Sequence, residues 1–288
     1  MRLIALGLAA LALFAAGAFV QREPLMLGWL ASRVPQTTLE ERAALLEPAI
    51  AFRPPEGVSP PWPAVIQFHG CAGMRADFME QWAAAANRQG FLAVIVDSTG
   101  PRGIDRERAF ASVCAGKELL GQERAGDVFA AYEVVRKRSD VDASRIVLAG
   151  WSHGAWSVMD LIAMTPPRRL PAGIRRDGVK APEIAGAILV YPYCGEGSWT
   201  AIDGWRRPVT TLALIAGADT VVDPARCPEV FTELTEQGAD IDVVVYPQAV
   251  HVFDDPFLAP KDRHMYDAEA HRDATRRYEE FLTKIAKR

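Results

Sequence analysis

Six short apolar runs, at residues 64–68, 91–96, 145–149, 187–191, 211–215 and 241–246, are separated by longer segments with helical patterns at 76–89, 118–138, 154–164, 225–237 and by a last one at 265–287. Runs of five or six apolar residues without alternation are strands buried on both faces, and strands interleaved with helices give a parallel sheet. Such alternation over more than 200 residues predicts one α/β domain: a mostly parallel central sheet with helices on both faces. Residues 40–58 add an edge strand around 49–52, where Pro54 and Pro55 suit an edge and not a centre. The domain is expected to span 40–288, after an N-terminal segment or linker at 19–39.

The third run leads directly into Gly150-Trp151-Ser152-His153-Gly154. Strand, sharp turn and helix in that order form a nucleophile elbow, with Ser152 presented at its tip. Glycines two residues either side are needed because strand and helix approach too closely for a side chain. In an open parallel sheet ligands bind beyond the carboxyl ends of the strands, and the partners of Ser152 should therefore follow other strands.

Elimination among five histidines leaves His251 as the base. His153 is directed by the elbow helix, His69 ends the first run, and His264 and His271 lie seven apart in the charged C-terminal segment, where solvated histidines are expected. His251 follows the run at 241–246, at the same edge as Ser152. The acid that orients such an imidazole is expected at Asp219, in Gly217-Ala218-Asp219 after the run at 211–215. Its rival, Asp223, precedes Pro224 and a helical pattern, which reads as an N-cap with proline at the first helical position. His69-Gly70-Cys71-Ala72-Gly73 closes the first run beside the elbow. The backbone N–H groups of Cys71 and His153 are the expected oxyanion donors.

The order Ser152, Asp219, His251 is that of α/β hydrolases. From residue 64 to the last helix the chain resembles the dienelactone hydrolase family, particularly its exported, serine-containing relatives. The matching segments are Phe68-His-Gly-Cys-Ala-Gly73, Gly150-Trp-Ser-His-Gly154, Tyr191-Pro-Tyr-Cys194, Gly217-Ala-Asp219 with Asp223-Pro-Ala-Arg-Cys227, and Tyr246-Pro with His251-Val-Phe-Asp254. The resemblance implies an α/β-hydrolase fold and a triad of Ser152, Asp219 and His251. The founding enzymes of that family carry cysteine at the elbow; serine here points to a broader carboxylic-ester or lactone hydrolase working through an acyl-enzyme without a cofactor. Alternatives from other classes are a non-catalytic exported binding protein and a peptidase or thioesterase on the same fold.

Composition narrows the partners. A formal net charge of −4 gives no basic footprint for nucleic acid. Met1-Arg2 followed by uncharged, apolar residues 3–20 predicts an export signal, with Ala16-Gly17-Ala18 supplying a cleavage site after Ala18. Left uncleaved, residues 3–20 would attach the protein to a membrane. Either outcome makes the protein exported, periplasmic or secreted.

Four cysteines suit an oxidising compartment. They allow three connectivities; because all four follow strands, the pairing Cys71–Cys114 with Cys194–Cys227 is preferred. No Cys-x-x-Cys occurs and no histidine stands at ligand spacing from a cysteine, so no metal site is expected. Pocket walls are expected from Tyr193, Trp199 and Trp205. The connection 165–182 is too short for a large lid domain, and its basic residues Arg168, Arg169, Arg175, Arg176 and Lys180 are expected in solvent, away from the chemistry. Nothing in the sequence specifies an oligomeric state.

Overall fold

The computed structural model describes residues 23–164, 169–176 and 178–288. Seven strands form one sheet: β1 (Ile50–Arg53), β2 (Trp62–Phe68), β3 (Leu92–Val96), β4 (Val141–Trp151), β5 (Gly186–Val190), β6 (Thr211–Ala216) and β7 (Ile241–Tyr246). Their order is β1-β3-β2-β4-β5-β6-β7, parallel throughout except for β1, which runs antiparallel to β3 at the edge. Pro54 and Pro55 directly follow β1, where an unpaired side tolerates their missing N–H groups.

Side chains alternate between two cores. Val65, Ala93, Ile95, Val147, Ala149, Ile188, Val190 and Leu212 face one, while Ala64, Ile66, Phe68, Val94, Ile146, Leu148, Ala187 and Leu189 face the other. A period of two on strands buried on both faces calls for apolar residues at nearly every position, and the buried exception in β2, Gln67, donates to the Tyr278 hydroxyl at 2.9 Å. β7 departs from this expectation. It lies at the other edge, with only Tyr246 buried among its six residues, because no neighbour covers its outer side.

Residues 23–32 form a helix, α1, followed by α2 (Leu39–Leu46), α3 (Ala76–Arg88), α4 (Gly121–Arg136), α5 (His153–Ala163), α6 (Trp199–Asp203), α7 (Arg226–Glu236) and α8 (Ala268–Ala286). Helices α3 and α8 cover one face and α4, α5 and α7 the other. Helix α8 buries Ala270, Ala274, Tyr278, Phe281, Leu282 and Ile285, one stripe at helical spacing on an otherwise charged segment. It starts three residues later than its pattern implies, because the Asp267 carboxylate caps the N–H groups of Glu269 and Ala270. The expected start of α4 at 118 moves to 121, where Leu119 takes a positive φ of 49° and breaks the helix.

Residues 23–46, ahead of β1, pack against the core. Leu27 and Leu46 are buried in the main core, and Arg42 on α2 reaches the wholly buried Asp127 on α4 at 2.9 Å. Of the connection expected in solvent, Ala172 and Ile174 are buried, and Arg169 pairs with Asp203 and stacks on the Trp199 ring. Arg168 and the whole of residues 1–22, including the proposed leader, lie outside the described residues.

Candidate active site

Strand β4 ends at Trp151 and helix α5 starts at His153, which leaves Ser152 alone to turn the chain. Its φ of 54° and ψ of −118° are unfavourable for a residue with a side chain. A methyl group on Gly154 would collide with the Phe68 carbonyl and lie 2.7 Å from that of His69, and one on Gly150 would strike the backbone of Gly154 and Ala155. The two glycines are therefore steric requirements of a tight elbow beside β2. The Ser152 N–H donates to the Val190 carbonyl at 2.8 Å, holding the turn to β5.

Three segments from three strand ends converge there. His251 Nε2 lies 2.9 Å from Ser152 Oγ, and its Nδ1 lies 2.6 Å from Asp219 Oδ2. The other carboxylate oxygen of Asp219 accepts from the N–H groups of Val221 and Val222 at 2.8 and 3.1 Å. With both oxygens engaged, the carboxylate has one orientation to offer the imidazole. The loops carrying Asp219 and His251 are also tied together, since the Ala218 N–H donates to the Ala249 carbonyl at 2.9 Å. Asp223 stands aside: it accepts from the Ala225 N–H at 3.0 Å in a turn, and α7 begins only at Arg226 with Ala225 at its cap.

A second, buried carboxyl braces the surroundings of His251. Asp254 accepts from the Trp151 indole at 3.0 Å and from the Tyr191 hydroxyl at 2.9 Å, and the Tyr191 ring packs on His251 at 4.6 Å between centroids. Burial pushes Asp254 up to about 7, against the lowering bond from Tyr191. The sequence carries it only as part of His251-Val-Phe-Asp254, and the packing that gives it partners is tertiary.

On the other side of Ser152, Gly70 brings its loop close: a methyl group on it would lie 3.7 Å from Ser152 Cβ. His69 fixes that loop. Its Nδ1 lies 2.7 Å from the Gly70 carbonyl and its Nε2 accepts from the Ser98 N–H at 3.2 Å, the pattern of a neutral ring protonated at Nδ1. Burial, and next the Arg124 charge, lower its pKa. His153 is likewise held well below its ordinary value by burial and then by Arg124, whose guanidinium sits 3.1 Å from its Nδ1. The histidine ring hydrogen-bonded to Ser152 Oγ is that of His251. Of the remaining histidines, exposed His264 sits in a 3-10 turn, while His271 is half-buried on α8 against Trp82 and is not solvated as expected, because α3 packs across it.

A cavity of about 510 Å³ opens at Ser152, and Cys71 and His153 line it. Tyr193 is in its wall, 4.8 Å from the Trp156 ring. Trp199 and Trp205 are not part of the wall. They are buried in the core, their indoles bonded to Gln122 and to Thr200, because the segment after β5 folds inward over α5 and α7. Disulfides join Cys71 to Cys114 and Cys194 to Cys227. The first fastens the loop after β2 to the segment carrying Val113, another wall residue. Wall positions that the sequence left unmarked are Met26, Leu27 and Leu30 on α1, with Val221 and Val222 after Asp219. The apolar run Leu25-Met26-Leu27 was a signal, but it falls in the stretch 19–39 read as an N-terminal segment or linker.

Residues 48–286 match the dienelactone hydrolase family. Among curated proteins the chain is similar to acylamino-acid-releasing enzyme 1 of Oryza sativa subsp. japonica, 22% identical over 221 residues, which are 67% of this chain and 28% of that protein. The acylamino-acid-releasing enzyme of Sus scrofa is 26% identical over 159 residues, 54% of this chain and 20% of that protein. The chain thus spans less than a third of the length of these relatives. Among solved structures, a putative dienelactone hydrolase from Klebsiella pneumoniae superposes with a TM-score of 0.63 at 16% identity, over 82% of this chain and 92% of that one. The butyrate-bound Thermogutta terrifontis esterase gives a TM-score of 0.61 at 17% identity, over 82% and 88%. The shared architecture is the α/β-hydrolase fold.

Proposed function

The chain belongs to the dienelactone hydrolase family, and from that premise we propose that it is a serine hydrolase cleaving a carboxylic ester or lactone through an acyl-enzyme. The observation that carries this is the hydrogen-bonded series Ser152, His251, Asp219 at the mouth of a cavity. His251 Nε2 takes the proton of Ser152 Oγ as that oxygen attacks the acyl carbon. Asp219 stabilises the imidazolium that forms and keeps Nε2 facing the serine. The N–H groups of Cys71 and His153 hold the tetrahedral oxyanion, each worth about 3–4 kcal/mol of barrier in comparable sites. His251 then protonates the departing alkoxide, and a water activated by the same imidazole releases the acyl group.

The butyrate in the Thermogutta terrifontis esterase supports a small acyl group as the first probe. Turnover of p-nitrophenyl butyrate by the purified protein is expected to fall by at least about 10,000-fold in Ser152→Ala. Equal rates in the two proteins would overturn the proposal. The names of the curated relatives favour a second activity, release of an acylated amino acid from an amide. Turnover of N-acetyl-alanine p-nitroanilide at a kcat/KM equal to that of the ester would replace the esterase assignment by that one.

Two disulfides are the cysteine usage of a protein that folds outside a reducing cytosol. Among the described residues no helix is long and apolar enough to cross a membrane. Export through residues 1–18, with cleavage after Ala18, accounts for the disulfides and for the uncharged N-terminal run. N-terminal sequencing of the exported protein should begin at Phe19; retention of Met1 in a membrane fraction would assign residues 3–20 as an anchor instead.

A further inference from the structure

We propose that α1, the helix of residues 23–32, is a specificity wall of the Ser152 cavity, and that the cavity it completes selects esters with an uncharged, apolar acyl group over esters whose acyl group carries a carboxylate. The proposal rests on the ester-hydrolase assignment above. Helix α1 lies ahead of residues 48–286, so the family match does not account for it. It nevertheless contributes Met26, Leu27 and Leu30 to the same cavity as Ser152.

The helix is fastened where a wall must be. Leu27 is only 2% exposed and belongs to the main core, its carbonyl accepts from the Gln122 side chain at 3.1 Å, and the Glu23 carboxylate accepts from the Gly197 N–H. Gln122 also accepts from the Trp199 indole at 3.0 Å, so α1 is bonded through one amide to two elements of the domain. Met26 and Leu30 lie one helical turn apart, which places them on one face. Val221 and Val222 come from the turn that Asp219 organises, and further apolar surface comes from Leu120 and Trp156.

Charge gives the second half of the inference. Among the described residues of the lining the one formally charged side chain is Glu196, and none is a lysine or arginine. A substrate carboxylate entering there would lose water without gaining a cation and would meet a like charge. An alkyl chain gives up no hydrated charge and gains apolar contact with the walls it reaches.

The test uses p-nitrophenyl acetate, butyrate and hemisuccinate, which share a leaving group and differ in the acyl part. Wild type is expected to favour butyrate over hemisuccinate by about tenfold or more in kcat/KM. Met26→Ala with Leu30→Ala should lower the butyrate-to-acetate ratio of kcat/KM by about fivefold, chiefly through KM, since each lost methylene contact weakens the longer chain more. Met26→Lys, at a position 36% exposed and able to carry a charged head, should narrow the butyrate-to-hemisuccinate ratio by a similar factor. Thermal melts establish that both variants fold, and failure of one leaves the other to decide. Ratios unmoved in folded variants, or a wild type indifferent to the hemisuccinate charge, would overturn the wall while Ser152-dependent acetate turnover left the hydrolase assignment standing. No Ser152-dependent turnover of any of the three esters would overturn both.

Discussion

Buried carboxyl groups are the residues whose behaviour is least visible in a sequence. Asp160 on α5 is wholly enclosed; burial pushes it up to about 8, against bonds to its Oδ1 from the Thr200 N–H at 3.2 Å and the Ser198 hydroxyl at 3.3 Å. Its ordinary value is 3.8, so the folded protein holds this proton more tightly than the unfolded chain does. The stability it contributes is therefore complete below about pH 4 and is lost as the pH rises through about 8. Asp160→Asn keeps an oxygen for both donors and cannot ionise. The melting temperature of that variant relative to wild type is expected to rise between pH 4 and pH 8, measured by calorimetry across that range; a constant difference would contradict it. Asp254 adds a second decline of the same sign ending near pH 7. Ser152, Asp219 and His251, by contrast, were legible from the sequence because each follows a recognisable strand, and a parallel sheet sends all strand ends to one edge.

At the scale of elements, the cavity depends on short segments whose positions are set by cross-links and by packing. Cys71 and Cys114 are 43 residues apart and join the loop beside Ser152 to a wall segment at the end of the short helical stretch 106–113. Replacing both by serine should cost about 2–4 kcal/mol in urea unfolding, the range for closing a loop of this size. Below its new midpoint the variant should also lose kcat/KM toward butyrate, because Val113 and its neighbours are no longer held against the site. Unchanged stability would show that packing alone fixes the segment. The elbow is a different case, since its geometry is local. Gly154→Ala places a methyl group in the Phe68 carbonyl, and a destabilisation of about 2 kcal/mol or more is expected from thermal melts, the range for overpacking a dense interior. The glycines could be read from sequence for that reason, whereas Trp199 and Trp205 could not. Aromatic residues near a strand end can face a cavity or the core, and only the fold of the segment after β5 turned these two inward.

For the molecule as a whole, residues 23–46 pack into the same core as the sheet. The wholly buried Asp127 accepts from Arg42 on α2 and from Arg102 after β3, at 2.9 and 2.7 Å, tying residues ahead of the family-matched region to the central layer. Leu46 on α2 has no exposed surface. Leu46→Ala is expected to cost about 2–5 kcal/mol in a denaturant titration, the figure for a leucine in a closed core; a cost near zero would mark α2 as an appendage. The sequence by itself determined the parallel sheet, its elbow and the three residues at the strand ends, because strand periodicity and tight turns are local properties of a chain. The tertiary structure alone decided that residues 23–32 wall the cavity, that β7 is an exposed edge and that Asp254 braces His251. These depend on which distant surfaces meet, and apolar or carboxyl side chains carry no mark of their partners until burial removes the water that would otherwise satisfy them.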